Sequence, residues 1–235
     1  MTGCVRYLRR RRASGDGMRD LLPPEVAVAV ASGDDWAGKL LPAELACLSE
    51  RAVQRRRRDF TAGRVCARRA LTRLGVPAVA VPSAPDRSPV WPAGVVGTIT
   101  HTPGYCAAAV ARADEIRSVG MDAERHRELN AGVRRLIGLP EEWDDCARLP
   151  GTVPWAAVLF SAKETIYKVW HPVVGTWLDF HDARVELDPD SGLFTARIAP
   201  ARLDAAPVPD PPATVTGRFA VDADVVRTAA VLLPR

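Results

Sequence analysis

The sequence predicts an α+β fold built from two halves of similar plan. Three observations predict it. The periodic segments run strand, helices, strands and then strands, helix, strands. Two long helical patterns, within Pro42–Leu74 and Val153–Trp170, are each flanked by short alternating runs. Turn residues at Ala113-Asp114 divide the chain near residue 114. The expected organisation is a basic extension over 1–17 without fixed structure, an N-terminal half over 18–113 and a C-terminal half over 114–235. No sequence identity between the halves is visible, so their likeness rests on element order alone.

Taken in order, the extension carries Arg9–Arg12, and Met18 opens a stretch that reads as a natural start running into a strand, Val26–Ala31. Pro42 to Leu74 has helical periodicity, with Leu45, Leu48, Ala52, Val53, Phe60, Ala67 and Leu71 on one side; Gly75 and Pro77 end it. Five prolines make 76–95 a loop. Strands follow at Val95–His101, Tyr105–Ala111 and Ser118–Ala123, with Pro103-Gly104 as the first turn. Residues 129–150 read as an irregular helical insertion. The second long helix begins near Thr152 as N-cap, with Pro154 in its first turn. Ala183–Leu187, Leu193–Ile198 and Thr214–Leu233 alternate like strands of an antiparallel sheet, interrupted by Pro207–Pro212.

Composition narrows the function. The 235 residues are 47% hydrophobic and 26% charged, enough to bury a core and unlike a disordered chain. No run of about 18 apolar residues exists, so no membrane partner is expected. The N-terminus lacks a signal-peptide pattern, and five scattered cysteines never form C-x-x-C; both suit a reducing cytoplasm. The net charge of +4 points to an anionic partner without choosing one. Of the 32 basic residues only Lys39, Lys163 and Lys168 are lysine. Two lysines five residues apart in an arginine-rich chain suggest a site that needs a compact ammonium.

Four segments can carry chemistry. In Gly120-Met121-Asp122-Ala123-Glu124 the two acids share one face of a strand, and a hard divalent cation such as Mg²⁺ would relieve their repulsion. In Phe160–Lys168, Trp155, Val158, Leu159, Ala162, Ile166 and Val169 form an apolar stripe with Glu164 opposite and Lys168 a turn further on, which also suits a surface ion pair. Arg56 and Arg64 lie two turns apart on one helix face, a geometry for a phosphate or for nucleic acid. Thr100 and His101 end a strand with a hydroxyl and an imidazole.

Together these segments resemble the 4′-phosphopantetheinyl transferases of the enterobactin- and surfactin-synthetase type. The family's Gly-x-Asp-x-Glu stands as Gly120, Asp122 and Glu124, and its Trp-x-x-Lys-Glu-x-x-x-Lys as Phe160, Lys163, Glu164 and Lys168. The helix signature stands as Arg56, Asp59-Phe60, Gly63-Arg64 and Cys66-Ala67-Arg68; the middle signature as Trp91-Pro92, Gly94, Gly97 and Thr100-His101. The resemblance implies two pseudo-symmetric halves, each a small antiparallel sheet packed on a long helix, with the active site in the cleft between them. It implies transfer of phosphopantetheine from coenzyme A to a serine of an apo acyl or peptidyl carrier protein, releasing adenosine 3′,5′-bisphosphate, by a monomer. Asp122, Glu124 and Glu164 would hold Mg²⁺, and Glu164 would deprotonate the serine. Lys163 and Lys168 would neutralise the phosphates, Thr100 and His101 would bind phosphate oxygens, and Arg56 and Arg64 would grip the 3′-phosphate. Relatives carry a lysine in the loop before Pro89; here Arg87 stands one position along as its replacement. The alternatives from other classes are an arginine-rich nucleic-acid-binding protein and a Mg²⁺-dependent nuclease; a transferase needs no nucleic-acid partner.

Overall fold

Antiparallel pairing sorts the strands into two sheets. A computed structural model of the chain describes residues 17–32, 38–126, 129–151 and 153–234. The first sheet has the order β1 (Ala27–Ser32), β3 (Tyr105–Arg112), β2 (Val95–Thr102). The second has the order β4 (Ser118–Arg125), β8 (Val225–Leu232), β7 (Thr214–Val221), β6 (Leu193–Ile198), β5 (Ala183–Asp188). A long helix covers each: α2 (Gln54–Arg73) lies on β1 and β3, and α5 (Trp155–Val174) lies on β4 and β8. The α+β, two-half architecture expected from the element order is the architecture found. Residues 1–16, with the Arg9–Arg12 run, lie outside the described residues. Met18 is fully buried and packs with Val119, Met121 and Ala229 of the second half.

Three local differences have simple causes. The helical pattern from Pro42 breaks into α1 (Pro42–Leu45) and α2, because the Arg57 guanidinium turns back onto the Ser49, Glu50 and Ala52 carbonyls and stabilises the bend between them. The last alternating run is two strands, since Asp222 accepts hydrogen bonds from the Asp224 and Val225 amides and folds the chain back there. Helix α5 runs four residues past Trp170, tolerating Pro172 in its last turn, and ends at Gly175 with φ of 74°. Thr152, the expected cap, is outside the described residues, and Pro154 holds the cap position. The irregular insertion is two helices, α3 (Ala131–Ile137) and α4 (Pro140–Arg148), and a last short helix, α6, spans Pro200–Asp204.

The two sheets meet where β2 runs beside β4, over a shared core that includes Val28, Ala107, Val119 and Ala123. Close approach of α5 to β4 then depends on Gly120. A Cβ there would sit 2.4 Å from the Thr165 carbonyl oxygen and 2.7 Å from a Val169 methyl. This is the reason for the glycine in Gly120-x-Asp122: it lets the helix bearing Glu164 and Lys168 lie directly on the strand bearing Asp122. Gly120→Ala is expected to lower the melting temperature by roughly 3–10 °C, from an overpacking cost of about 1–3 kcal/mol, measured by thermal unfolding.

Candidate active site

Asp122 gathers residues from both halves. From β2, Thr100 donates its hydroxyl to Asp122 Oδ1 at 3.1 Å and accepts the Ala123 amide at 3.1 Å. From α5, Ser161 donates to Asp122 Oδ2 at 2.9 Å, and Lys168 Nζ lies 2.7 Å from Oδ1 and 3.2 Å from the Met121 carbonyl. Behind them, Thr228 of β8 meets the Ser161 hydroxyl at 2.8 Å and the Thr165 hydroxyl at 2.7 Å. A buried carboxylate is tolerable only when compensated, and here a cation and two hydroxyls do so.

Glu164 projects from the same helix face, half-buried, with Lys168 and Asp122 as charged neighbours. Burial pushes its carboxyl above the ordinary glutamate value; Lys168 opposes that rise and Asp122 adds to it. Glu124 lies two residues along β4 from Asp122, opposite Val226 in register. Among the described residues no group of three acidic, histidine or cysteine side chains converges to hold a metal ion, so the expected trio of Asp122, Glu124 and Glu164 is not assembled here. The oxygen-only character of Asp122 and Glu164 still fits a hard divalent cation, which would relieve the repulsion that raises Glu164.

The second half of the catalytic helix motif behaves differently from expectation. Lys163 is buried, and its ammonium is 2.8 Å from Glu142 Oε2, 2.6 Å from the Phe180 carbonyl and 2.8 Å from the Ala183 carbonyl. It lies about 140° around the helix from Lys168, so it does not face the cleft. Its expected role against the phosphates is therefore not one this geometry offers.

Successive strand residues point to opposite faces, which separates Thr100 from His101. Thr100 is spent on Asp122, and holds that carboxylate rather than presenting a free hydroxyl. His101 is exposed on the α2 side; loss of hydration lowers its pKa, Asp59 opposes, and Lys168 and Arg56 lower it further. Arg56 and Arg64 sit over the Phe60 ring, 5.6 Å and 4.2 Å from its centre. Arg64 is buried, donates to Ser83 at 2.7 Å, and keeps a buried Nε without a hydrogen-bond partner. Burial holds its pKa below the usual arginine value. Arg87 stands at φ 71° at the tip of the 84–88 turn, whose Asp86 comes within 3.6 Å of His171 on α5. Arg87, Lys168 and His171 line one cavity of about 240 Å³ spanning the halves.

Ser161, Thr228 and His171 escaped the sequence reading. Ser161 had a usable signal: at about 100° per residue it falls within about 60° of Glu164 and Lys168, away from the apolar stripe. Thr228 had none, because its role depends on β8 pairing with β4.

A buried carboxylate held from both halves, with a lysine paired to it and a second carboxyl beside it, is the kind of cluster that enzymes use. The chain belongs to the 4′-phosphopantetheinyl transferases. Residues 42–111 match the 4′-phosphopantetheinyl transferase N-terminal domain, and residues 118–208 match the 4′-phosphopantetheinyl transferase superfamily. The chain is 43% identical to the 4′-phosphopantetheinyl transferase PptT of Mycobacterium tuberculosis, over 82% of this chain and 86% of that one. It is 46% identical to Svp of Streptomyces mobaraensis over 70% and 68% of the two chains. Enterobactin synthase component D of Salmonella typhi is more distant, 30% identical over 51% and 50%.

In the metal-free protein, carbon-13 NMR titration of glutamate carboxyls is expected to place Glu164 above ordinary glutamate. Lys168→Met is expected to raise it further, because the substitution removes the cation that opposes burial.

Proposed function

We propose that this transferase moves the 4′-phosphopantetheine group from coenzyme A to a serine hydroxyl of an apo acyl or peptidyl carrier protein, with Mg²⁺, releasing adenosine 3′,5′-bisphosphate. The observation that carries the reading is the Asp122 cluster, where Lys168 pairs with Asp122, neighbours the raised Glu164 carboxyl and lines the cavity between the halves.

Coenzyme A is a polyanion, and the residues sort by what they can do to it. Arg56 and Arg64, preset on Phe60, take the 3′-phosphate. His101 and Arg87 add donors at the cleft edge, and Lys168 sets a point charge against the pyrophosphate. Asp122 and Glu164 would hold Mg²⁺, with Glu124 as a further oxygen donor on the same strand. When bound, the ion offsets charge on the pyrophosphate oxygens. Glu164 accepts the serine proton, directly or through a water, as the serine oxygen bonds to phosphorus and the bond to the nucleotide phosphate breaks. A carboxylate within reach of the serine hydroxyl is the base that such a transfer needs. Thr100 and Ser161 keep the Asp122 carboxylate fixed while this happens.

Carrier proteins are expected to be acidic, and the basic stretch 125–135 is the proposed dock, with Leu136 of α3 exposed beside it at 70%. One chain supplies both walls of the cleft, which supports a monomer, acting in the cytoplasm. No helix among the described residues is long and apolar enough to cross a membrane. Of the eight arginines of α2, Arg57, Arg64, Arg68 and Arg73 each donate to protein oxygens, which leaves fewer of them for a nucleic-acid surface.

Intact-protein mass spectrometry of an apo carrier incubated with the enzyme, coenzyme A and Mg²⁺ is expected to show a gain of one phosphopantetheine arm. EDTA is expected to abolish the gain, and Glu164→Gln to slow it by about a hundredfold or more while sparing coenzyme A binding. Absence of the gain across fatty-acid, polyketide and peptide carriers overturns the reading. Arg56→Ala is expected to weaken coenzyme A by about tenfold while changing 3′-dephospho-coenzyme A little. Equal losses for both ligands remove the 3′-phosphate assignment.

A further inference from the structure

The two halves share a buried node built from the same residue pattern. In the first half, Leu41-Pro42-Ala43-Glu44 opens α1; in the second, Leu139-Pro140-Glu141-Glu142 opens α4. Glu44 Oε2 accepts the Leu41 amide at 2.9 Å, and Glu142 Oε2 accepts the Leu139 amide at 2.7 Å. The other oxygen of each takes an amide from the chain beyond the long helix, Val81 at 3.1 Å and Val185 at 2.7 Å. Each carboxylate is fully buried and pairs with a cation of its long helix: Arg68 of α2 with Glu44, and Lys163 of α5 with Glu142 at 2.8 Å. Each cation also donates to loop carbonyls, Arg68 to Lys39 and Lys163 to Phe180 and Ala183.

The correspondence continues five residues on. Arg73 donates to the Val28 carbonyl of β1, and Lys168 donates to the Met121 carbonyl of β4. Val28 faces Ala109 on β3, and Met121 faces Ala229 on β8, each on the edge strand of its sheet. Lys163 thus occupies the place of Arg68, which lies in the other half and serves a structural node. In the catalytic half, the same node anchors the helix that carries Glu164 and Lys168.

We propose that Lys163 and Glu142 are positioning residues of the transfer reaction: their buried pair clamps α4 and β5 to α5 and fixes the rotation at which α5 presents Glu164 and Lys168 to Asp122. The inference rests on the transferase reading above, and it takes Lys163 out of the phosphate-binding set. Lys163 and Glu142 make one another's environment, so they act as a unit.

The test combines three measurements. Lys163→Met and Glu142→Gln are each expected to lower the melting temperature by on the order of 10 °C, with the double variant losing clearly less than the sum. Both single variants are expected to lower kcat by the same factor, about tenfold or more, because a misplaced reacting group costs rate even when remote residues cause it. Glu142→Gln near wild-type kcat, with only Lys163→Met impaired and weak in coenzyme A binding, would overturn the clamp in favour of direct phosphate contact. Should the variants not fold, nitrogen-15 NMR of the three lysine ammonium groups in the native enzyme still decides. Coenzyme A is expected to shift the Lys168 signal and leave Lys163 unmoved; a Lys163 shift as large as that of Lys168 overturns the proposal. If neither signal moves, the coenzyme A reading fails and the role in transfer falls with it, while the thermal cycle, where the variants fold, decides the clamp independently.

Discussion

The Asp122 carboxylate is the point on which the site depends. It is buried at the junction of the two sheets, where its charge is sustainable only because Thr100 reaches it from one half and Ser161 and Lys168 reach it from the other. Those bonds fix the separation of the halves and the height of α5 on β4 at once. Gly120 permits that height, and Thr228 fills the remaining polar space behind Ser161 and Thr165. The raised Glu164 carboxyl follows from the same arrangement, since burial on α5 and the nearness of Asp122 both favour its protonated form.

The two halves share a helix-on-sheet frame and differ in the charge it carries. Where Met121 corresponds to Val28, the next residue is Asp122 in the second half and Ala29 in the first, and two residues further the pair is Glu124 and Ala31. The first half therefore keeps the helix-on-sheet frame and its Glu44–Arg68 node but has no acids on the strand. Its surplus is cationic instead, with Arg56 and Arg64 stacked on Phe60. Acids on a strand of one half and arginines on the helix of the other are the charge pattern that the proposed coenzyme A substrate calls for.

The pattern Leu-Pro-x-Glu stands in the sequence at 22–25, 41–44 and 139–142, and local spacing alone does not tell which two share a structural role. Their meaning lies in what the glutamate accepts, and its partners Val81, Val185, Arg68 and Lys163 are all distant in sequence. Lys163 presents the same difficulty. Adjacent to Glu164 in a recognisable motif, it reads from sequence as a phosphate ligand. On a helix, however, neighbours diverge by about 100°, and packing decides which of them meets the cleft.

By itself the sequence determined the two-half α+β plan, the family and the set of polar residues from which a site could be made. Periodicity and motif spacing are local properties that survive without the fold. Tertiary structure alone decided which of those residues converge. It joined Asp122 to Thr100, Ser161 and Lys168 and turned Lys163 inward to Glu142. Convergence is settled by sheet pairing and by the depth at which α5 packs, and both depend on contacts between residues far apart in the chain.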